Sequence, residues 1–202
     1  MKEKTIGMLI VLTAVATLIG GVLATVYRTA APKIEANRLA EEKRAIFEVL
    51  PEATKYETIE ATMEGDKGEE LVKIFKGFDD DGRFVGYAFT SAGPGFQAII
   101  KMMVGLQPDY LKLSGMQVLE QLETPGLGNK ILYDDFRDMF KGLELEPKIE
   151  YVKNKKPEKP NEIQAIAGAT ITSRAVVKII NEDSKRVIDY LKEHEGQTVS
   201  SE

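Results

Sequence analysis

The stretch Glu162-Ile163-Gln164-Ala165-Ile166-Ala167-Gly168-Ala169-Thr170-Ile171-Thr172-Ser173 decides how this chain is assembled. Residues 162–166 alternate in character and predict a short strand. From near Ser173 the pattern predicts a long amphipathic helix, with Val176, Ile179, Ile180, Val187, Ile188 and Leu191 on one stripe. A strand therefore passes into a helix through small residues and the hydroxyls of Thr170, Thr172 and Ser173. Gly168 permits a tight turn and a close approach to a ligand. The first N–H groups of a helix lack partners and carry partial positive charge, so a phosphate is stabilised there. Two readings stay open on these residues alone. Ser and Thr are ordinary N-caps and Gly is ordinary turn chemistry. Alternatively, a threonine hydroxyl touches a phosphate or is esterified by it.

Upstream, Leu71–Gly77 and Phe84–Thr90 predict strands joined by Asp79-Asp80-Asp81-Gly82, a strong hairpin signal. The three aspartates lack the alternating ligands of a calcium loop and read as a solvated turn. Ala98–Leu106 and Leu111–Leu119 predict further strands, with a turn near Pro108-Asp109. Asp134–Met139 predicts a short helix, Lys148–Val152 a strand and Lys153–Pro160 a loop. The class expected is α+β with a mostly antiparallel sheet.

The N-terminal part has a different character. Ile6 to Tyr27 is nearly unbroken apolar sequence without a charge. As a helix it is about 33 Å long, close to the roughly 30 Å of a bilayer's hydrocarbon. It is longer than the core of a signal peptide and lacks a small-x-small cleavage pattern at its end, so an uncleaved anchor is expected. Gly20-Gly21, Ala14, Ala16 and Ala24 leave open either close approach of another helix or simple tolerance of lipid. Lys2 and Lys4 flank one side, and Arg28, Lys33, Arg38, Lys43 and Arg44 the other. A bare charge count would put the following domain in the cytoplasm, although long domains cross largely regardless of charge. Ile34–Leu50 reads as a charged connecting helix bounded by Pro32 and Pro51. The expected organisation is 1–5, an N-terminal segment; 6–27, a membrane helix; 28–50, a connecting helix; 51–194, the main domain; and 195–202, a flexible tail.

Composition excludes several classes. The 202 residues are 43% hydrophobic and 29% charged, which suits one domain of roughly 150 residues plus an appendage. The net charge of −5 argues against non-specific nucleic-acid binding. With no cysteine there is no disulfide scaffold, thiolate metal site, iron–sulfur cluster or cysteine nucleophile. The lone His194 takes no role. No metal site and no acid–base pair for a substrate are expected, nor is there a Gly-x-Gly-x-x-Gly nicotinamide fingerprint.

A second motif follows the Leu111–Leu119 strand: Glu123-Thr124-Pro125-Gly126-Leu127-Gly128. Such a loop lays backbone amides and one apolar side chain against a planar ring, or is only a turn. Together with Gly168-Ala169-Thr170-x-Thr172-Ser173 it resembles the FMN-binding domain shared by the G component of Rnf complexes and the C component of the sodium-translocating NADH:quinone reductase. The Glu-Thr-Pro-Gly-Leu-Gly loop matches residue for residue, and Gly93-Pro94-Gly95-Phe96-Gln97 falls where that family has a glycine-rich segment. The family pattern usually has Ser or Thr before the glycine and an acidic residue or Asn three positions earlier. Here those places hold Ala167 and Gln164. The short chain looks more like the Rnf G component.

The resemblance implies FMN joined by a phosphoester to Thr170. It implies a cofactor site of Glu123, Thr124, Gly126, Leu127, Gly168, Ala169, Thr172 and Ser173. It further implies a single-pass flavoprotein of the cytoplasmic membrane, with residues 1–5 in the cytoplasm and 51–194 as an FMN-binding domain on the extracytoplasmic side, against the charge count. Such a protein relays electrons among other membrane and peripheral subunits of an ion-translocating ferredoxin:NAD oxidoreductase and is matured by a flavin transferase. Three alternatives stay open: the equivalent component of the quinone reductase, a flavin-free membrane-anchored assembly module, and a stand-alone flavin reductase.

Overall fold

The computed structural model describes residues 2–65 and 68–195; residues 196–202 of the expected tail lie outside them. The chain divides into two units, 1–41 and 42–202. The first is the bulk of a single helix, α1 (Lys2–Val49). Its apolar residues are bare: Met8, Leu12, Leu18 and Leu23 are all more than 60% exposed. The stretch is long and apolar enough to cross a membrane. The helix does not restart at Pro32, as the sequence predicts, but runs through it. A proline there removes the bond to the Arg28 carbonyl, a loss that solvent can make good on a helix exposed on all sides.

The second unit is α+β, as expected. Five strands form one antiparallel meander in the order β1-β2-β3-β4-β5: β1 (Lys55–Gly65), β2 (Gly68–Phe78), β3 (Phe84–Pro94), β4 (Ile99–Leu106) and β5 (Leu113–Glu120). The four strands from β2 to β5 fall on expected segments. Strand β1 has no counterpart in the sequence reading. Its buried face is carried by Ala61 and Met63, weak strand formers set among Glu57, Glu60 and Glu64. The Asp79–Gly82 turn closes as expected, and Arg83 pairs with both Asp79 and Asp81.

Period-two alternation sorts each strand onto two faces. Ile74, Phe89, Val104 and Met116 sit in register on one face, within the larger core. Helix α3 (Thr170–Glu195) covers that face with Val176, Ile179, Ile180, Val187 and Leu191. On the other face, Phe75, Ala88 and Met103 pack with Ala45, Ile46, Val49 and Leu50 from the end of α1. The approach is close because small residues floor this face. A Cβ at Gly105 would stand 2.6 Å from the Val49 carbonyl oxygen, which accepts from Ser114 Oγ at 2.6 Å.

Residues 45–50 thus belong to the core of the second unit. Ile46, Val49 and Leu50 are each no more than 2% exposed, and burying each is worth about 1.5–3 kcal/mol. Their sum rivals the whole stability of a domain, ~5–15 kcal/mol. A chain starting at Glu42 is expected to fold and stay soluble without detergent, whereas one starting at Pro51 should lack a cooperative thermal transition by circular dichroism. Equal melting of the two would show that the α1 end is dispensable.

Between β5 and α3 lie a single turn of helix, α2 (Asp134–Arg137), and the short parallel pair β6 (Glu150–Val152) and β7 (Glu162–Gln164). Asn181 of α3 holds this pair in place. Its Oδ1 accepts from the Ile149 N–H and its Nδ2 donates to the Ile149 carbonyl, both at 2.9 Å. Buried Glu162 accepts from the backbone N–H of Glu158 at 3.0 Å and pairs with Lys159 at 3.3 Å. The Glu158 N–H, then Lys159, hold its carboxyl below the ordinary value of 4.5, against the opposing effect of burial. The carboxylate therefore stabilises the fold above that value, and the contribution is lost as pH falls through the lowered one. Glu162→Gln should melt below the unaltered chain at neutral pH, the gap closing under about pH 4. A gap that stays constant down to pH 3 would refute this.

Candidate functional site

Strand β7 delivers the chain to the turn that starts α3. The helix begins at Thr170, three residues before the expected start near Ser173. The reason is local. The Ser173 N–H already bonds the Ala169 carbonyl at 3.1 Å, an intrahelical bond, so Ala169 stands at the cap position. The Ser173 hydroxyl is buried and turned inward, accepting from the Ile166 N–H at 3.0 Å and donating to the Ala169 carbonyl at 3.1 Å. The orphan N–H groups of α3 are therefore those of Thr170, Ile171 and Thr172. Gly168, with φ +80°, makes the turn, a conformation an L side chain rarely adopts.

The Glu123–Gly128 loop faces this turn. Thr124 closes it by accepting from the N–H groups of Leu127 at 3.1 Å and Asn129 at 3.2 Å. Asn129 Oδ1 accepts from the Gly126 N–H at 2.7 Å. Leu127 is thereby pushed against the turn: a Cβ on Gly168 would lie 3.0 Å from Leu127 Cδ2.

Between the loop and the helix start lies an open cleft of about 260 Å³. Of the residues the sequence reading assigns to a cofactor site, Glu123, Thr124, Leu127, Gly168, Ala169, Thr170 and Thr172 line it. Gly126 and Ser173 do not reach it; the first shapes the loop and the second caps the helix from within. Phe96, Gly128 and Ile171 also line it, although sequence reasoning does not assign them to the site. The Gly-Pro-Gly run before Phe96 is the signal that could have found that residue. Phe96, Leu127 and Ile171 are exposed and give the rim an apolar surface. The Thr170 side chain is half-buried, and its hydroxyl makes no hydrogen bond among the described residues. Thr172 is different. It is 2% exposed, and its Oγ1 donates to Glu123 Oε2 at 2.6 Å. No lysine or arginine is among the lining residues.

This geometry fits a planar, apolar ring carrying an anionic tail. Unpaired N–H groups and the helix dipole meet the anion, and apolar side chains meet the ring. A phosphate monoester carries about −1.5 to −2 at neutral pH. A cleft holding Glu123 and lacking a cation suits the single charge of a diester better.

Residues 95–183 match the FMN-binding domain family, a span that contains every residue lining the cleft. The G component of the ion-translocating oxidoreductase complex of Methanosarcina acetivorans is 31% identical over 193 residues, 96% of each chain. The G component of the Na(+)-translocating ferredoxin:NAD(+) oxidoreductase complex of Acetobacterium woodii is 36% identical over 141 residues, 69% of this chain and 66% of that one. The chain belongs to the family of G components of ion-translocating oxidoreductase complexes. Among solved structures, Shewanella oneidensis NqrC superposes with a TM-score of 0.54 at 25% identity over 66% of both chains. The C component of the Na(+)-translocating NADH-quinone reductase from Parabacteroides distasonis shares the fold, with a TM-score of 0.53 at 17% identity, over 84% of this chain and 96% of that one.

Proposed function

We propose that this protein is a membrane-anchored electron carrier holding FMN through a phosphoester to Thr170, within an ion-translocating ferredoxin:NAD oxidoreductase complex. The observation that carries this reading is the unengaged Thr170 hydroxyl at the start of α3, in a cleft with anion-binding N–H groups and no cation. Without a cation, affinity for a free phosphate would be weak, and a covalent bond holds the cofactor instead. Attachment needs a flavin donor activated as a phosphoanhydride and a flavin transferase. The Thr170 Oγ1–P bond forms, the phosphoanhydride P–O bond breaks, the other phosphate-bearing half of the donor departs, and the hydroxyl proton is released. Bound FMN supplies one-electron chemistry at its ring.

The chain's own residues do the rest. The N–H groups of Thr170, Ile171 and Thr172 would meet the phosphate oxygens. Leu127, Phe96 and Ile171 would hold the ring and keep water from one side of it. A cleft of about 260 Å³ falls just under the roughly 300–1,000 Å³ of a site that encloses its ligand, so part of a bound ring would stay open. An open edge suits a relay, which must pass electrons to neighbouring subunits. Helix α1 anchors the domain in the cytoplasmic membrane, with the domain on the extracytoplasmic side, where lost FMN would not be replaced. Purified protein made with an active flavin transferase should fluoresce under ultraviolet light after denaturing electrophoresis, with the mass of FMN on the peptide containing Thr170. An unmodified Thr170 in that sample would refute the covalent reading.

A further inference from the structure

We propose that Glu123 is the positioning residue of the flavin cleft, one carboxylate locking three separate chain segments together and occupying the proton of Thr172, so that Thr170 presents the available hydroxyl of the first turn of α3. This rests on the reading of Thr170 as the attachment residue. Glu123 is 4% exposed and has no ion pair among the described residues. A carboxylate buried without a cation must be hydrogen-bonded. Here Oε1 accepts from the backbone N–H groups of Phe96 at 2.9 Å and Gln97 at 3.0 Å, and Oε2 from Thr172 Oγ1 at 2.6 Å. The partners lie 26, 27 and 49 residues away. One side chain therefore joins the β3–β4 connection, its own loop and the start of α3, the three segments that line the cleft.

The space around the carboxylate is kept clear by two glycines. A Cβ at Gly95 would stand 2.5 Å from Oε1. A Cβ at Gly128 would stand 2.8 Å from both Oε2 and Thr172 Oγ1. The bonds to Phe96 and Gln97 also set the backbone that carries Phe96 at the rim. A hydroxyl becomes a nucleophile by releasing its proton. That of Thr172 is buried and donated to Glu123, whereas that of Thr170, which lines the cleft, is committed to no hydrogen bond among the described residues. Glu123 makes no hydrogen bond to Thr170 among the described residues, and acts through Thr172 and the Phe96–Gln97 backbone.

The test uses the full chain in detergent with purified flavin transferase, reading the rate of FMN addition by intact mass alongside a thermal melt. Glu123→Ala should lower the maximal rate at least about tenfold, as misplacement of a reacting group does, with the apparent KM for the acceptor chain within about twofold. Glu123→Gln keeps the two backbone acceptor bonds but turns an N–H toward Thr172 Oγ1, so it should recover only part of the rate. Thr172→Val should lower the rate about fivefold, and Thr172→Ser should restore it. Addition to Glu123→Ala at the unaltered rate, or a loss that only follows its unfolded fraction, overturns the proposal. Should Glu123→Ala not fold, Thr172→Val decides, and an unchanged rate in that variant overturns it. An unaltered chain that takes up no FMN overturns the Thr170 reading together with this one.

Discussion

Thr170→Ala should carry no covalent flavin, a fall of at least about a hundredfold, while its fold and its assembly into the complex are kept. The loss is chemical. Alanine has no oxygen to form the ester, and the other candidates in the cleft are poor substitutes. The Thr172 proton is donated to Glu123, and Thr124 stands on the opposing loop, away from the orphan N–H groups of α3. The fold is spared because Thr170 is half-buried, makes no hydrogen bond among the described residues, and is replaced by the best helix former, a change worth about 1 kcal/mol or less. Thr170→Ser should retain the linkage. The readouts are in-gel flavin fluorescence, intact mass and electron transfer by the assembled complex. A Thr170→Ala complex with unaltered activity would favour a flavin-free assembly role. FMN mass on another residue would move the attachment point.

Among glycine substitutions Gly86→Ala should cost the most stability, about 3–5 kcal/mol, or ~6–20 °C in melting temperature for a domain of this size. Two costs coincide at this position of β3. Gly86 has φ +143°, where an L residue is strained. Its Cβ would also stand 2.3 Å from the Leu106 carbonyl oxygen and 3.2 Å from Leu50 Cδ2. The nearer atom is backbone of the adjacent strand, so relief requires β3 and β4 to part. Gly82→Ala is the matched control. It has φ +78° at an open turn with nothing within 4 Å, and should cost only the backbone strain, about 1–2 kcal/mol. Equal melting temperatures for the two variants would mean that the close approach at Gly86 carries no energy.

The strand–helix junction and the turn facing it are legible as short local patterns, but their assignment to a flavin comes from the family resemblance. Glycine, alanine and threonine at a strand–helix junction have meaning within six residues. Four strands of the sheet are legible because period-two alternation and the Asp79–Gly82 turn are local too. The start of α3 is not, because a serine in that setting reads as a cap from outside, whereas Ser173 bonds back to Ala169 and Ile166 from inside the first turn. Strand β1 escapes a sequence reading because Ala61 and Met63 gain their burial from α3 and the neighbouring strands, not from intrinsic preference. Pro32 marks a helix boundary that the structure does not have.

By itself the sequence determined the membrane-length helix, the antiparallel class and the junction that presents Thr170, since hydrophobic periodicity and turn chemistry act over a few residues. Only the tertiary structure decided which hydroxyl stands unengaged, that the end of α1 is part of the core, and that Glu123 faces Thr172 and the Phe96–Gln97 backbone. Those outcomes depend on contacts spanning 26 to 65 residues, set by how the sheet packs against α3 and the end of α1, and no local pattern encodes them.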